Sequence, residues 1–494
     1  MKSYLMSLSD LLSAVSIEFD GGGSILLSNL TDDSRRVEKG SVFFAYPGES
    51  SDGREHIQQA VSAGAAAVIC EAKGFDEALS GADQAVPVIP ILGLRGSVGH
   101  FASHFYQQPS TELQVFGVTG TNGKTTCCYL LTQALSKLGL KAAMIGTIGT
   151  GYLSELSYSG LTTPGPIEVQ RLLAQWRDEG CTQVCMEVSS HALDQGRVAG
   201  IHFYASLFTN LSHDHLDYHG DMNSYADAKA KLFVDYASEV AIINADDELG
   251  DRLIGSTTAD FIASYGTAGD VSIGELNLKT SGMIILVETS GVEFEVATSL
   301  IGRINTPNIL LLITTLLALS VSVEDIQAIV SELNPAPGRM ELYSQVDTAR
   351  VVVDFAHTPD ALEKALQSVR EHCRGQLWCV FGCGGDRDRA KRAVMGAAAS
   401  KYADQVIITN DNPRSEQPSQ IAEEILAGVD IDKIAAAEVI LDRASAIQSA
   451  IERAGIDDWV LIAGRGHEHL QKIGEQTIPF SDRDHVSKIM ELAA

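Results

Sequence analysis

The run Gly120-Thr121-Asn122-Gly123-Lys124-Thr125-Thr126 constrains this chain more than any other stretch. An apolar segment, Val115-Phe116-Gly117-Val118, precedes it, and an apolar helical pattern opens behind it with Tyr129-Leu130-Leu131. Strand, glycine-rich loop, Lys-Thr and helix, in that order, make a phosphate cradle. Glycines let backbone N–H groups close on phosphate oxygens, and the helix N-terminus adds partial positive charge. Lys124 is placed to reach the β- and γ-phosphates and Thr125 to ligate Mg2+. Five residues, rather than the four of the strict pattern, separate Gly117 from Gly123. The alternative is a tight strand-to-helix turn that happens to hold Lys-Thr; the strand and helix on either side favour the cradle.

At 494 residues the chain is long for one core, and about two to four domains are expected. Residues 1–93 read as a small N-terminal α/β domain, with strands at Ser41–Tyr46 and Ala65–Cys70 and a helix at Ile57–Ala63. Residues 94–335 hold the phosphate loop and then alternate strands, such as Val184–Val188 and Val240–Asn244, with helices. That alternation predicts a mostly parallel sheet covered on both faces. Within it, Phe261–Leu300 alternates polar and apolar residues and reads as an antiparallel insert. Asn334-Pro335-Ala336-Pro337-Gly338 punctuates the chain. Residues 336–494 then carry four strand-like runs, at Arg350–Phe355, Leu377–Phe381, Gln405–Thr409 and Trp459–Ala463, separated by helical stretches. The expected class is therefore α/β in three domains. The central one is of P-loop type, and the C-terminal one is doubly wound and Rossmann-like.

Two further constellations carry chemistry. In the C-terminal domain each strand ends in a polar cluster: Asp354-Phe355-Ala356-His357, Gly384-Gly385-Asp386-Arg387-Asp388, Asp411-Asn412-Pro413-Arg414 and Gly464-Arg465-Gly466-His467-Glu468. Ligands of open α/β sheets bind beyond the carboxyl ends of the strands. Clusters of both charge signs suit a zwitterion such as an amino acid. In the central domain Glu187 ends a strand, and His191, His213, His215 and His219 follow within a short span. With a phosphate loop nearby they point to metal-assisted phosphoryl chemistry. Lys229 falls on the apolar helical face of Tyr225, Leu232 and Phe233, whereas Lys231 falls off it. A snorkelling lysine and a buried lysine with a chemical duty both fit that placement.

Composition narrows the field. A formal net charge of −28 argues against a general nucleic-acid binder, which needs a basic face, but leaves room for an anionic substrate in a cleft lined by Lys and Arg. No run of about 18 apolar residues offers a membrane span. Ser9 and Asp10 sit where an export signal needs apolar residues, so a cytoplasmic protein is expected. The eight cysteines form no CxxC pair and read as buried thiols in a reducing compartment rather than as a zinc site.

Seven ordered motifs resemble the Mur ligases: GTNGKTT, MEVSSHAL at Met186–Leu193, LSHDHLDYHGDM at Leu211–Met222, YADAKAKLF at Tyr225–Phe233, DFAHTPDAL at Asp354–Leu362, FGCGGDRDRAKR at Phe381–Arg392 and DNPR at Asp411–Arg414. DSRRV at Asp33–Val37 extends the likeness to nearly the whole chain. The resemblance implies a domain for a UDP moiety, an ATPase domain and a domain for an incoming amino acid. It implies that ATP phosphorylates a substrate carboxylate and that an amine displaces the phosphate to form an amide. The pattern is most similar to the ligase step that adds the third residue of the peptidoglycan stem peptide. The implied substrates are UDP-N-acetylmuramoyl-L-Ala-D-Glu, meso-diaminopimelate and ATP, with Mg2+ as cofactor. A monomer with neither nucleic acid nor membrane as partner is expected.

Carried over residue by residue, the resemblance makes Lys124, Glu187, His215 and Lys229 catalytic. Thr125, Glu187, His215 and Lys229 become Mg2+-site residues, Lys229 as a carbamylated lysine. Gly120, Thr121, Asn122, Gly123, Lys124, Thr125 and Thr126 would hold the ATP phosphates, and Asn305 and Asn308 would lie at its base. Ser34, Thr162, Thr163, Ser189, Gln195 and Arg197 would bind the UDP substrate. Arg387, Asp411, Asn412, Pro413, Arg414, Gly464 and Glu468 would bind the amino acid. In that set Arg414 is suited to pair with a distal carboxylate, which lysine lacks, and Glu468 to meet the distal ammonium.

Overall fold

The computed structural model describes residues 4–17, 25–49, 51–75, 86–158 and 160–492. The chain forms two compact units, Met1–Ser264 and Tyr265–Ala494.

Besides a two-stranded antiparallel pairing of Met6–Ser7 with Leu26–Leu27, two larger sheets build the described part of the first unit. Four parallel strands, Asn29–Thr31, Ser41–Ala45, Ala67–Glu71 and Val88–Ile91, lie side by side in chain order. The Ser41–Ala45 strand is buried throughout because both faces are covered. Phe43 packs with Ile57 and Ala60 of the helix Ile57–Ser62, and Phe44 packs on the opposite face against Phe101. The flanking strands at Asn29–Thr31 and Val88–Ile91 are too short to show in a pattern of period two.

The second sheet places Gln114–Thr119, the strand that leads into the glycine loop, between Phe203–Phe208 and Gln183–Glu187. Ser238–Asn244 lies beyond the first of these and Ala142–Gly146 beyond the second, and these pairings are parallel. The short strand Gly149–Gly151 turns back antiparallel at one edge. A central strand buried on both faces reads as a continuous apolar run, as Val115–Val118 does. Gly117 within it leaves room for a neighbour: a Cβ there would sit 2.7 Å from the Phe203 ring. The helix Leu94–Phe105 links the two sheets. It rests on the turn after Gly196, where a Cβ on Gly99 would lie 2.2 Å from the Ala199 carbonyl oxygen.

In the second unit, Val271–Lys279, Gly282–Thr289 and Val292–Thr298 form an antiparallel meander, as the alternating pattern predicts. The helix Thr306–Ala318 is nearly all buried. A six-stranded sheet follows in the spatial order Glu341–Tyr343, Arg350–Asp354, Trp459–Ala463, Leu377–Phe381, Gln405–Ile408, Ala437–Val439. Only its first pairing is antiparallel. The last strand in sequence to join the parallel set is inserted near the middle, which is the doubly wound arrangement. The segment around Pro335 thus falls inside a compact unit. His372 bridges across it: its Nε2 accepts from the Gly302 amide at 2.9 Å, so its Nδ1–H donates to the Lys279 carbonyl at 2.7 Å.

At the carboxyl ends of the parallel strands, Arg443 and Asp482 form a bidentate pair, each bond 2.7 Å, with both side chains almost wholly buried. Arg443 also donates to the carbonyls of Ala463 and Asn410, at strand ends. Removing one charge of such a pair strands the other. Asp482→Asn is expected to destabilise by about 3–5 kcal/mol in urea unfolding; a loss under about 1 kcal/mol would mean that solvent reaches Arg443.

Candidate active site

The parallel register brings the phosphate loop and Glu187 together. Glu187 pairs with Val118 of the neighbouring strand, so its side chain emerges beside the first helical turn after Gly123. The loop needs its glycines. Gly120 and Gly123 adopt φ of 147° and 86°, and a Cβ on Gly120 would overlap the Thr209 hydroxyl at 1.9 Å. The helix Lys124–Lys137 starts without a side-chain cap, which leaves its first N–H groups for a ligand. The Lys124 ammonium folds back onto the carbonyls of Gly120 and Thr121 at 2.8 and 2.9 Å.

Glu187 is 1% exposed and accepts three hydrogen bonds. Thr125 Oγ1 donates at 2.9 Å, the Thr147 amide at 2.7 Å and Thr147 Oγ1 at 3.1 Å. Thr125 and Glu187, two hard oxygen donors in contact beside a phosphate loop, fit a Mg2+ site. Lys229 is also 1% exposed. Its ammonium donates to the Gly120 carbonyl at 2.8 Å and lies 4.2 Å from the centre of the Tyr225 ring. Burial, and then Lys124 nearby, push its pKa far below the usual lysine value. Lys231 on the same helix instead reaches Asp194 at 3.0 Å on the surface side. Lys229 is therefore buried rather than snorkelling.

His215 has a positive φ of 52°, and after burial and Asp214 both Lys124 and Lys229 act on its pKa. Its ring lies 4.9 Å from that of His191 and 6.1 Å from that of Tyr225. His191 in turn packs on Tyr218 and His219. Burial lowers the pKa of all three histidines, which keeps them neutral donors or ligands. Among the described residues no three His, Cys, Asp or Glu side chains are gathered as a metal cage. A metal here would be completed by hydroxyl and phosphate oxygens.

Of the residues assigned to the UDP substrate, some bond to this centre and others to one another. Thr163 is fully buried and donates to the Glu187 carbonyl at 2.7 Å, while the Ser189 amide donates to Thr163 Oγ1 at 3.2 Å. Thr162 meets Thr147, hydroxyl to hydroxyl, at 3.0 Å. Gln195 takes both Nε and Nη2 of Arg197 on its Oε1, at 2.8 and 2.5 Å, and donates to Glu49 and to Tyr218. Ser34 lies on the N-terminal sheet domain, in a short helical turn capped by Asp33, and donates to Gln59 at 3.0 Å.

Several bracing residues were not singled out from sequence. Asn210 Oδ1 accepts from the Asn122 amide at 3.0 Å, and the Asn210 carbonyl accepts from the Thr121 amide at 2.8 Å. Thr209 Oγ1 donates to the Asn122 carbonyl at 2.6 Å, and Asn244 Nδ2 holds the Thr209 carbonyl at 2.7 Å. Their one signal is position, since each follows or ends a strand beside the loop.

In the second unit the four polar clusters meet at one sheet edge. Asn412 Nδ2 donates to Glu468 at 3.0 Å. Arg465, 0% exposed, donates to Asn412 Oδ1 at 3.1 Å. Arg414 Nη1 donates to the Gly385 carbonyl at 2.7 Å. A Cβ on Gly464 would be 2.8 Å from the Asp411 carboxylate. Burial and then Asp411 raise the Glu468 pKa, so this carboxylate favours a cationic partner. Pro413 is buried and Arg387 is exposed at the rim. Asn305 and Asn308 are buried and bonded to one another at 3.1 Å, at the start of the helix Thr306–Ala318.

Three family profiles match the chain in order: "Mur ligase family, catalytic domain" at residues 27–106, "Mur ligase middle domain" at 118–316 and "Mur ligase, glutamate ligase domain" at 338–466. The chain is 46% identical to a UDP-N-acetylmuramoyl-L-alanyl-D-glutamate–2,6-diaminopimelate ligase of Chromobacterium violaceum, with 91% of each covered. It is 42% identical to the protein of the same name from Coxiella burnetii, over 94% of this chain and 96% of that one. A solved structure of a ligase of that name superposes with a TM-score of 0.73 at 35% identity, covering 99% of both chains.

Lys229→Met replaces a buried amine by an apolar chain of similar length. The unfolded state holds this lysine's proton more tightly than the folded state. Wild-type stability therefore rises with pH between the two pKa values, by at most about 1.4 kcal/mol per pH unit. In urea unfolding without CO2, Lys229→Met is expected to be the more stable protein near neutrality, and its advantage should shrink as the pH approaches about 10. An advantage that does not change with pH would mean that Lys229 is an ordinary, solvated cation.

Proposed function

Given that this chain belongs to the Mur ligase family, we propose that it joins meso-diaminopimelate to UDP-N-acetylmuramoyl-L-Ala-D-Glu with hydrolysis of ATP to ADP and phosphate. It does so as a monomer in the cytoplasm, with neither nucleic acid nor membrane as partner. The observation that carries the amino-acid choice is the sheet edge where Arg414, Asn412 and Glu468 converge. Such an edge suits a ligand with a carboxylate at one end and an ammonium at the other.

A carboxylate is a poor electrophile, and a transferred phosphoryl group gives it a leaving group. The γ-phosphate of ATP moves to the glutamyl carboxylate oxygen, and ADP departs. The amino-acid nitrogen then attacks the acyl carbon, the C–O bond to phosphate breaks, and the nitrogen loses a proton as the amide forms. Lys124 and the N–H groups of Gly123–Thr126 offset charge on the phosphates. Thr125, Glu187 and His215 would hold Mg2+, which would shield the repulsion between ATP and carboxylate.

Lys229, held largely as the free amine, can attack CO2 at carbon and release a proton, which leaves a carbamate. A buried neutral amine beside Lys124 thereby becomes an anion, of the sign that a metal prefers. Thr162, Thr163, Ser189, Gln195, Arg197 and Ser34 orient the UDP substrate, and Asn305 and Asn308 border the nucleotide base. Arg387, Asp411, Pro413 and Gly464 complete the amino-acid pocket around Arg414.

Phosphate release with the UDP-dipeptide is expected with meso-diaminopimelate and to fall by at least about 100-fold with L-lysine, because lysine brings no distal carboxylate to the Arg414 charge. Equal turnover with lysine would remove the role given to Arg414, and turnover without any amino acid would favour a plain ATPase. Lys229→Ala is expected to lose ligation without recovery in high bicarbonate; near-normal activity would remove the carbamate.

A further inference from the structure

Two non-glycine residues of the amino-acid pocket adopt left-handed backbone: Asp386 at φ 53° and Arg414 at φ 51°. Such conformations persist only where their surroundings hold them. Each stands on one of the two loops that carry the recognition arginines, Arg387 and Arg414. The loops are laced to one another. Ser415 donates through its amide and hydroxyl to the Asp386 carboxylate, at 3.2 and 2.6 Å. The Gly385 amide donates to the Asn412 carbonyl at 2.9 Å.

One carboxylate closes this lacing. Glu416 accepts from the Asp386 amide at 2.6 Å and from Arg389 at 2.9 Å. It also takes both terminal nitrogens of Arg392, at 2.8 and 2.9 Å. Arg392 is 0% exposed and rooted in the helix Ala390–Tyr402. Its remaining carboxylate partner, Glu424 at 2.7 Å, touches neither loop in these bonds. Arg392 also reaches the Gly384 carbonyl directly, at 3.4 Å, and Glu416 is the carboxylate through which this buried guanidinium ties both loops together. On the far side the Arg414 amide and carbonyl bond to Lys472 and Gly474. Arg392 holds the Glu416 carboxyl down at about 2, so the clamp stays charged at any working pH.

We propose that Glu416 is a positioning residue for amino-acid selection: it fixes the spacing of Arg387 and Arg414, and through it the length and charge of the amino acid that the pocket accepts. The inference rests on the reading of those two arginines given above. A bidentate guanidinium–carboxylate pair tolerates little displacement. Slack in either loop therefore weakens the amino acid's hold before it touches the chemistry on ATP.

Glu416→Gln keeps the volume and removes the charge; Glu424→Gln removes the other charge from Arg392 and leaves the loops alone. The first is expected to raise KM for meso-diaminopimelate by about tenfold or more, with kcat and KM for ATP within about twofold of wild type. It should also narrow the preference over lysine. Glu424→Gln should change none of these. An unchanged KM in Glu416→Gln, or the same rise in both variants, would overturn the proposal, since equal effects mean general loosening of the helix.

If the wild type turns over another amino acid instead, the substrate reading fails, and the same comparison on that amino acid decides the role of Glu416. Amide hydrogen exchange in Gly384–Arg389 and Asp411–Glu416 gives a readout that needs no substrate. Faster exchange in Glu416→Gln alone supports the clamp, and identical rates in the two variants overturn it.

Discussion

A buried carboxylate with no cationic partner at bonding distance is an expensive thing for a fold to hold, and the first unit is organised around one. Glu187 is tolerated because three donors converge on it, from the phosphate helix and from the turn after a neighbouring strand. The same bonds fix where the helix starts and how the Ala142–Gly146 strand ends. Gly146 has to be a glycine there, since a Cβ would lie 2.3 Å from Glu187 Oε1. The arrangement stores a negative centre beside a loop made for phosphate. A cation held there would offset both charges, the electrostatic logic on which phosphoryl transfer depends.

Much of this was legible in the sequence because local rules agree with the global fold there. Glycines at the phosphate loop, continuous apolar strands and the phase of Lys229 on its helix each follow from covalent geometry and periodicity. The phase argument could not say whether the lysine ammonium escaped to water. That depends on Tyr225 and the Gly120 carbonyl closing over it, which is a tertiary fact. The bracing by Thr209, Asn210 and Asn244 was illegible for the same reason. Polar residues after strands are common, and only the order of strands in space tells which of them face the loop.

The C-terminal sheet shows the converse. Four polar strand ends in one domain pointed to a shared edge, and topology brings them there. The expected class of ligand, carrying both charges, followed from residue types alone. What the pattern concealed was the support beneath: Arg392, Arg443 and Arg465, all buried, look like surface cations in a one-dimensional reading. Charged residues are almost never fully buried unless paired, and their partners Glu416, Asp482 and Asn412 lie from 24 to 53 positions away.

His372 gives the second unit an unexpected seam. It holds the Gly302 amide with one ring nitrogen and the Lys279 carbonyl with the other, so the antiparallel meander is stitched to the C-terminal sheet across the Pro335 punctuation. Segments that look like separate modules in sequence are thus one inheritance in space. Recombination between relatives at the proline-rich punctuation would part His372 from both of its partners, leaving three polar groups to find water or new bonds. A crossover near Ser264 would carry the meander, the seam and the C-terminal sheet together.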